Sequence, residues 1–202
     1  MSQLHPDVQN MLDALYASDF IDFPLLTPDE ARQQSFKFSK LRIFPESIPQ
    51  PSTTDHIVTY QQNDMLCRLY EPENCNTNKL LVYYHGGGYV VGNVEQYDTL
   101  CRWLADRLNM RVISVDYPLS PECAFPDNIE AAYTALTWVA DNMRYTQLIV
   151  AGDSAGGHMA AMMALLARDR RGPDIHAQCL FYPWCNSDTT LPSYSQFAEG
   201  YG

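Results

Sequence analysis

Two short runs in this chain have residue types and spacing that could do chemistry. The first is Gly152-Asp153-Ser154-Ala155-Gly156, a serine with a glycine two positions to either side. An apolar run, Leu148-Ile149-Val150-Ala151, leads into it, and the helix-forming stretch Met159-Ala160-Ala161-Met162-Met163-Ala164-Leu165-Leu166 follows soon after. That order places the serine on a sharp strand-to-helix turn, where a side chain can stand clear of the backbone. Glycines suit such a turn because a Cβ on either side would collide with the adjoining strand or helix. The helix beginning there points free N–H groups and its positive dipole end at the serine, which favours an oxyanion formed nearby. The alternative is a tight turn in which Ser154 merely caps a helix.

The second run is His85-Gly86-Gly87-Gly88, reached directly from the apolar stretch Lys79-Leu80-Leu81-Val82-Tyr83-Tyr84. Consecutive glycines leave backbone N–H groups uncovered, so several can converge on one oxygen. An HGGG-type loop of this kind supplies the other half of an oxyanion hole. Alone it would read as a flexible loop. Paired with a serine elbow, each run following its own strand, it reads as scaffold for attack on a carbonyl. The glycines match neither G-x-G-x-x-G nor G-x-x-x-x-G-K-[ST], and no H-E-x-x-H or zinc-ligand pair occurs, so dinucleotide, P-loop and zinc-protease readings fail. No metal and no cofactor is expected.

Together the two runs resemble the hormone-sensitive lipase family of α/β-hydrolases, in particular its acetyl esterases and carboxylesterases. Asp116-Tyr117-Pro118-Leu119-Ser120-Pro121-Glu122, with Phe125-Pro126 after it, is similar to that family's segment between the motifs. The resemblance implies a serine ester hydrolase acting on short-chain, acetyl-like esters through an acyl-enzyme. By motif position it implies Ser154 as nucleophile and the N–H groups of Gly87, Gly88 and Ala155 as the oxyanion hole. His85 and Gly86 belong to the oxyanion loop, with His85 more a brace than a base. Asp153 is expected to point away from the reaction and to tie the elbow down.

A serine hydroxyl needs a base, and in this fold the order is Ser, then Asp or Glu, then His. After Ser154 the sequence holds only His158, on the serine's own helix, and His176, ahead of the next strand. Asp188 falls in the segment after that strand. None fits, so the triad acid and histidine are expected beyond residue 202, along with the last strands of the sheet. A non-catalytic ligand-binding protein, or an inactive truncated member of the same fold, is the alternative function.

The elements that must position these groups can be read around them. Residues 1–45 suggest two helices. Val8, Met11, Leu12, Leu15 and Tyr16 form an apolar stripe, and Thr27-Pro28-Asp29-Glu30 is a helix start with a capping box. The resemblance implies a cap over the active site; covering one end of the core is the alternative. Pro45, Pro49 and Pro51 mark an irregular connection. Stretches 56–60 and 65–70 read as an antiparallel hairpin turning near Asn63-Asp64. Strands at 79–84, 111–115, 147–151 and 177–182 then alternate with helices near 95–108 and 128–143 and after Ser154. On the first helix Tyr97, Leu100, Cys101, Leu104 and Leu108 share a face. Alternation predicts an α/β fold, a mostly parallel sheet with helices on both faces. The expected division is cap helices over 1–45, core over 46–184, and the start of a second cap segment over 185–202.

Composition agrees with a globular chain: 202 residues, 46% hydrophobic and 18% charged. A net charge of −11 argues against nucleic acid and anionic membrane surfaces as partners and is neutral toward a small ester. No run approaches the ~20 apolar residues of a membrane span, and the first residues lack a signal-peptide pattern. Six scattered cysteines without C-x-x-C spacing suit reduced thiols in a cytoplasmic protein.

Overall fold

The apolar runs become the strands of one six-stranded sheet. The structure, a computed structural model, describes residues 4–39 and 47–198. In chain order the strands are β1 (Ser52–Tyr60), β2 (Asn63–Glu71), β3 (Asn76–Tyr84), β4 (Met110–Val115), β5 (Gln147–Asp153) and β6 (Ala177–Phe181). They lie side by side as β1-β2-β4-β3-β5-β6. The hairpin β1–β2 and the pair β2–β4 are antiparallel, whereas β4, β3, β5 and β6 run parallel. The helices are α1 (Pro6–Tyr16), α2 (Pro28–Ser39), α3 (Val94–Leu108), α4 (Asp127–Asn142), α5 (Ala155–Arg170) and α6 (Pro192–Gln196).

Strand β3 shows why the helices divide between two faces. Successive side chains point opposite ways. Leu80, Val82 and Tyr84 pack with Ile129, Ala132 and Leu136 of α4 and with Met159 and Met163 of α5. Leu81 and Tyr83 pack with Tyr97, Cys101 and Ala105 of α3. Both faces are covered, so the strand must be apolar throughout, and that is what made it legible as a continuous run. Helix α3 opens on Asn93, whose side chain accepts from Gln96 N–H at 2.8 Å, and closes on Asn109 in the left-handed conformation.

Four expectations need correction. The hairpin turn lies earlier than Asn63-Asp64, because those residues already pair with Tyr60 and Thr59. Gln61, at φ 53°, supplies the positive φ that a two-residue hairpin loop requires, a position for which asparagine is the usual signal. Of the α1 stripe only Leu12 is buried, while Met11 is 61% and Tyr16 50% exposed. Periodicity shows which face of a helix is apolar and says nothing of whether a surface lies opposite. Leu108 ends α3 exposed, one turn past the contact with the sheet. Strand β6 stops at Phe181, since Tyr182 takes a positive φ of 37°, and the polar stretch after it contains the short exposed helix α6. Pro45 and residues 199–202 lie outside the described residues. The capping box holds: Thr27 N–H donates to Glu30 Oε2 at 2.9 Å, and Glu30 N–H reaches Thr27 Oγ1 at 3.4 Å. No helix among the described residues is long and apolar enough to cross a membrane.

Candidate active site

Strand β5 ends at Asp153 and α5 begins at Ala155, so Ser154 alone makes the reversal. Its backbone stands at φ 52°, ψ −119°, a conformation that costs a non-glycine residue on the order of 1–3 kcal/mol. The surroundings hold it there. Its N–H donates to Phe181 O at 2.9 Å, and its carbonyl accepts from His158 N–H at 3.0 Å and Trp184 N–H at 3.3 Å. Ser154 occupies the N-cap position of α5, yet its side chain makes no capping hydrogen bond. The capping alternative therefore loses its basis, because the hydroxyl is not spent on the helix. The flanking glycines answer to close approach. A Cβ on Gly156 would strike the carbonyls of Tyr84 and His85, and one on Gly152 would strike those of Gly156 and Tyr84.

Strand β3, next to β5, delivers the second motif to the same end of the sheet. Gly87 and Gly88 take φ values of 124° and 59°. The N–H groups of Val90 and Val91 both return to Gly87 O, at 3.0 and 2.9 Å, closing a tight turn. Gly86 N–H is already engaged, with Asp153 Oδ1 at 2.9 Å and Tyr97 Oη at 3.2 Å. Asp153 also accepts from Tyr83 Oη at 2.8 Å and Tyr97 Oη at 2.9 Å. Burial, and then the charge of Asp153, push the Tyr83 hydroxyl well above its ordinary range, so it stays a donor. Ser154, Gly87 and Gly88 open together onto an apolar cavity of about 500 Å³, walled otherwise by Phe23, Pro24, Leu26, Pro28, Ala31, Val90 and Val91. Two motifs that lie far apart in sequence thus share a cavity with the N-terminal helical segment.

A family model for the alpha/beta hydrolase fold matches residues 81–202, more than half of the chain. The chain belongs to the α/β-hydrolase family. Carboxylesterase NlhH of Mycobacterium tuberculosis is 34% identical to it over 201 residues, covering 96% of this chain and 62% of the relative. An arylesterase of Saccharolobus solfataricus is 31% identical, covering 98% and 65%. Among solved structures, the hyperthermophilic esterase from the archaeon Pyrobaculum calidifontis superposes with a TM-score of 0.90 at 35% identity, over 98% of this chain and 65% of that one. This chain thus spans less than two thirds of the length of these relatives. The matches agree with the hormone-sensitive lipase branch to which the paired motifs pointed.

None of the candidate bases His85, His158 and His176 is among the residues that line the cavity at Ser154. His85 is fully buried and stacked on Tyr117, with centroids 4.4 Å apart and planes at 13°. Its Nδ1–H donates to Gly86 O at 2.8 Å, and Tyr117 Oη donates to the His85 carbonyl at 2.6 Å. Its Nε2 faces Asp116 at 3.9 Å. His158, one turn along α5, meets the Tyr89 hydroxyl and lies 5.8 Å from the Trp184 ring. His176 immediately precedes β6, its N–H on Leu148 O at 2.8 Å. That is the opposite end of β5 from Ser154, on the order of 20 Å away at the usual rise of a strand. Asp188 is exposed and turned onto Thr190, accepting from its N–H at 3.0 Å and its Oγ1 at 2.6 Å. Among the described residues no three His, Cys, Asp or Glu side chains converge as a metal site requires. The sequence reading missed Tyr97, taken only as part of an apolar stripe. It also missed the cavity wall from Phe23 to Ala31, for which the family's expected cap was the one available signal.

Proposed function

We propose that this chain carries the nucleophile and oxyanion hole of a serine carboxylic ester hydrolase. The observation that carries the reading is the strained, uncapped Ser154 facing one apolar cavity with Gly87 and Gly88. Ser154 Oγ attacks the acyl carbonyl, and its proton leaves to a base. The carbonyl oxygen, now negative, is met by the N–H groups of Gly87, Gly88 and Ala155, and losing one such donor typically costs about 10²–10³ in rate. The C–O bond to the alcohol breaks with protonation of the leaving oxygen, and water releases the acid from the acyl-enzyme. His85, His158 and His176 are not assigned as the base, for the geometric reasons above. The helical segment before β1 is read as a cap that walls the acyl side. The apolar walls of the cavity of about 500 Å³, with Phe23, Leu26 and Val91 among them, suit the alkyl part of an acyl group, and the short-chain reading rests on the resemblance to acetyl esterases.

Nitrophenyl alkylphosphonates test both parts in a version of the protein that also carries the triad acid and histidine, since a serine hydroxyl without its base reacts poorly. The butyl reagent should label Ser154, and Ser154→Ala should abolish labelling. Persistent labelling in that variant would mean another nucleophile. A hexadecyl reagent should react more slowly; faster reaction would replace the short-chain reading with a lipase-like one. Failure of every reagent, with binding of the parent esters retained, would favour a ligand-binding protein on this fold.

A further inference from the structure

Gly87 and Gly88 can adopt the turn that presents their N–H groups, but nothing in a glycine keeps it there. Glycine gives up more backbone freedom on ordering than any other residue, so the rigidity has to come from neighbours. Two consecutive carbonyls of the turn are gripped from outside. Ser120 N–H donates to Tyr89 O at 2.8 Å, and Arg32 Nε–H donates to Val90 O at 2.9 Å. The same guanidinium donates to Ser120 O at 3.0 Å and forks onto the Glu122 carboxylate at 2.9 and 2.6 Å. One side chain of α2 thus joins the oxyanion turn to the segment that braces it. A planar fork of five donors can serve two carbonyls and a carboxylate together; an ammonium cannot span them.

We propose that Arg32 is a positioning residue for the oxyanion turn, so that docking of α2 on the core fixes the Gly87 and Gly88 N–H groups where an acyl oxygen would meet them. The proposal rests on the ester-hydrolase reading of the site. It makes the N-terminal helix part of the catalytic geometry as well as a wall of the cavity. The Arg32 hydrogen bonds hold the Glu122 carboxyl down to about 2, so the fork keeps its charge at every pH at which the protein would be assayed.

Two measurements test it, both on the version of the protein that carries the triad acid and histidine. Hydrogen–deuterium exchange reads the peptide spanning Gly87 and Gly88, and phosphonate labelling of Ser154 is resolved into a binding constant and a limiting rate. Arg32→Ala should speed exchange there about tenfold or more. It should lower the limiting rate about 10- to 100-fold, since a misplacement of ~1 Å can cost ~10², while binding changes less than about threefold. Arg32→Lys should behave like Arg32→Ala. The control is Gln34→Ala, which cuts the paired hydrogen bonds of Gln34 with the Ile21 backbone, at 2.9 and 2.7 Å, and touches nothing in the turn. It should leave exchange and limiting rate unchanged. If Arg32→Ala moves neither quantity, or if Gln34→Ala reproduces its effect, Arg32 only fastens a helix and the proposal fails. Should Arg32→Ala not fold, Glu122→Gln decides: a partial rise in exchange supports the proposal and none overturns it. Faster exchange with no Ser154 labelling in any protein, wild type included, would sink the ester-hydrolase reading and leave the positioning of the turn standing.

Discussion

Asp153 sits beside Ser154, yet its carboxylate is turned to Tyr83, Tyr97 and the Gly86 N–H, so three segments converge on one side chain. Asp153→Asn keeps a single carbonyl oxygen and places an NH₂ against hydroxyl donors. The expected loss is about 1–3 kcal/mol of stability, measured by urea denaturation; a change within 0.5 kcal/mol, roughly the scatter of neutral surface substitutions, would mean the network is dispensable. His158 gives a second residue-scale test. Burial pushes its imidazole below the ordinary 6.5 and pushes the Tyr89 hydroxyl up to about 12. The hydroxyl therefore donates to a neutral Nδ1. The unfolded chain takes up this proton more readily than the folded one, so the contribution is complete above about pH 6.5 and is lost as pH falls through the folded value. An NMR titration should place His158 below 6.5, and His158→Gln should remove that part of the acid sensitivity. A value at or above 6.5 would refute the assignment of donor and acceptor.

At the scale of elements, β3, β5 and α5 meet so closely that one atom decides the outcome. Gly156→Ala would drive a methyl group into the Tyr84 and His85 carbonyls, backbone atoms that cannot rotate aside. A loss above about 4 kcal/mol, or no folded protein at all, is expected; a stable variant with native melting temperature would show that α5 can shift. The turn at Phe23–Leu25 offers a subtler change. The cavity at Ser154 and a second of about 290 Å³ behind the turn at Gly87 share Phe23, Gly87 and Val91. Phe23→Ala should join them and raise the relative labelling rate of longer alkylphosphonates, by at most about fourfold per added buried methylene; an unchanged chain-length profile would show the second cavity is not reachable. These elements were legible for a common reason. Glycines mark where backbones touch, and runs such as Leu80–Tyr84 are apolar because both faces are covered. Arg32 was not legible, since its partners lie 58, 88 and 90 residues away and no local pattern distinguishes a clamping arginine from a solvated one. The α1 stripe erred the other way, its period correct and its burial slight.

Across the whole molecule the same burial predicts thiol chemistry. Cys67 and Cys101 are buried, and desolvation pushes both thiols up to about 12, whereas Cys179 and Cys185 are exposed. Iodoacetamide at pH 8 should modify Cys179 and Cys185 in the native protein and reach Cys67 and Cys101 only after denaturation, read by peptide mass spectrometry. Early alkylation of Cys101 would mean that α3 opens away from the sheet. The placement of Arg32 has a different consequence, in the order of synthesis. Translation yields α2 well before Val90 and Glu122, which lie 58 and 90 residues further on. At roughly 5–20 residues per second, the helix waits on the order of 5–20 s for the surface that receives it. During that interval Phe20, Phe23 and Phe38, which stack edge to face in the finished fold, are open to chaperones and to neighbouring nascent chains. A segment made ahead of the surface that receives it is then among the last to find its place.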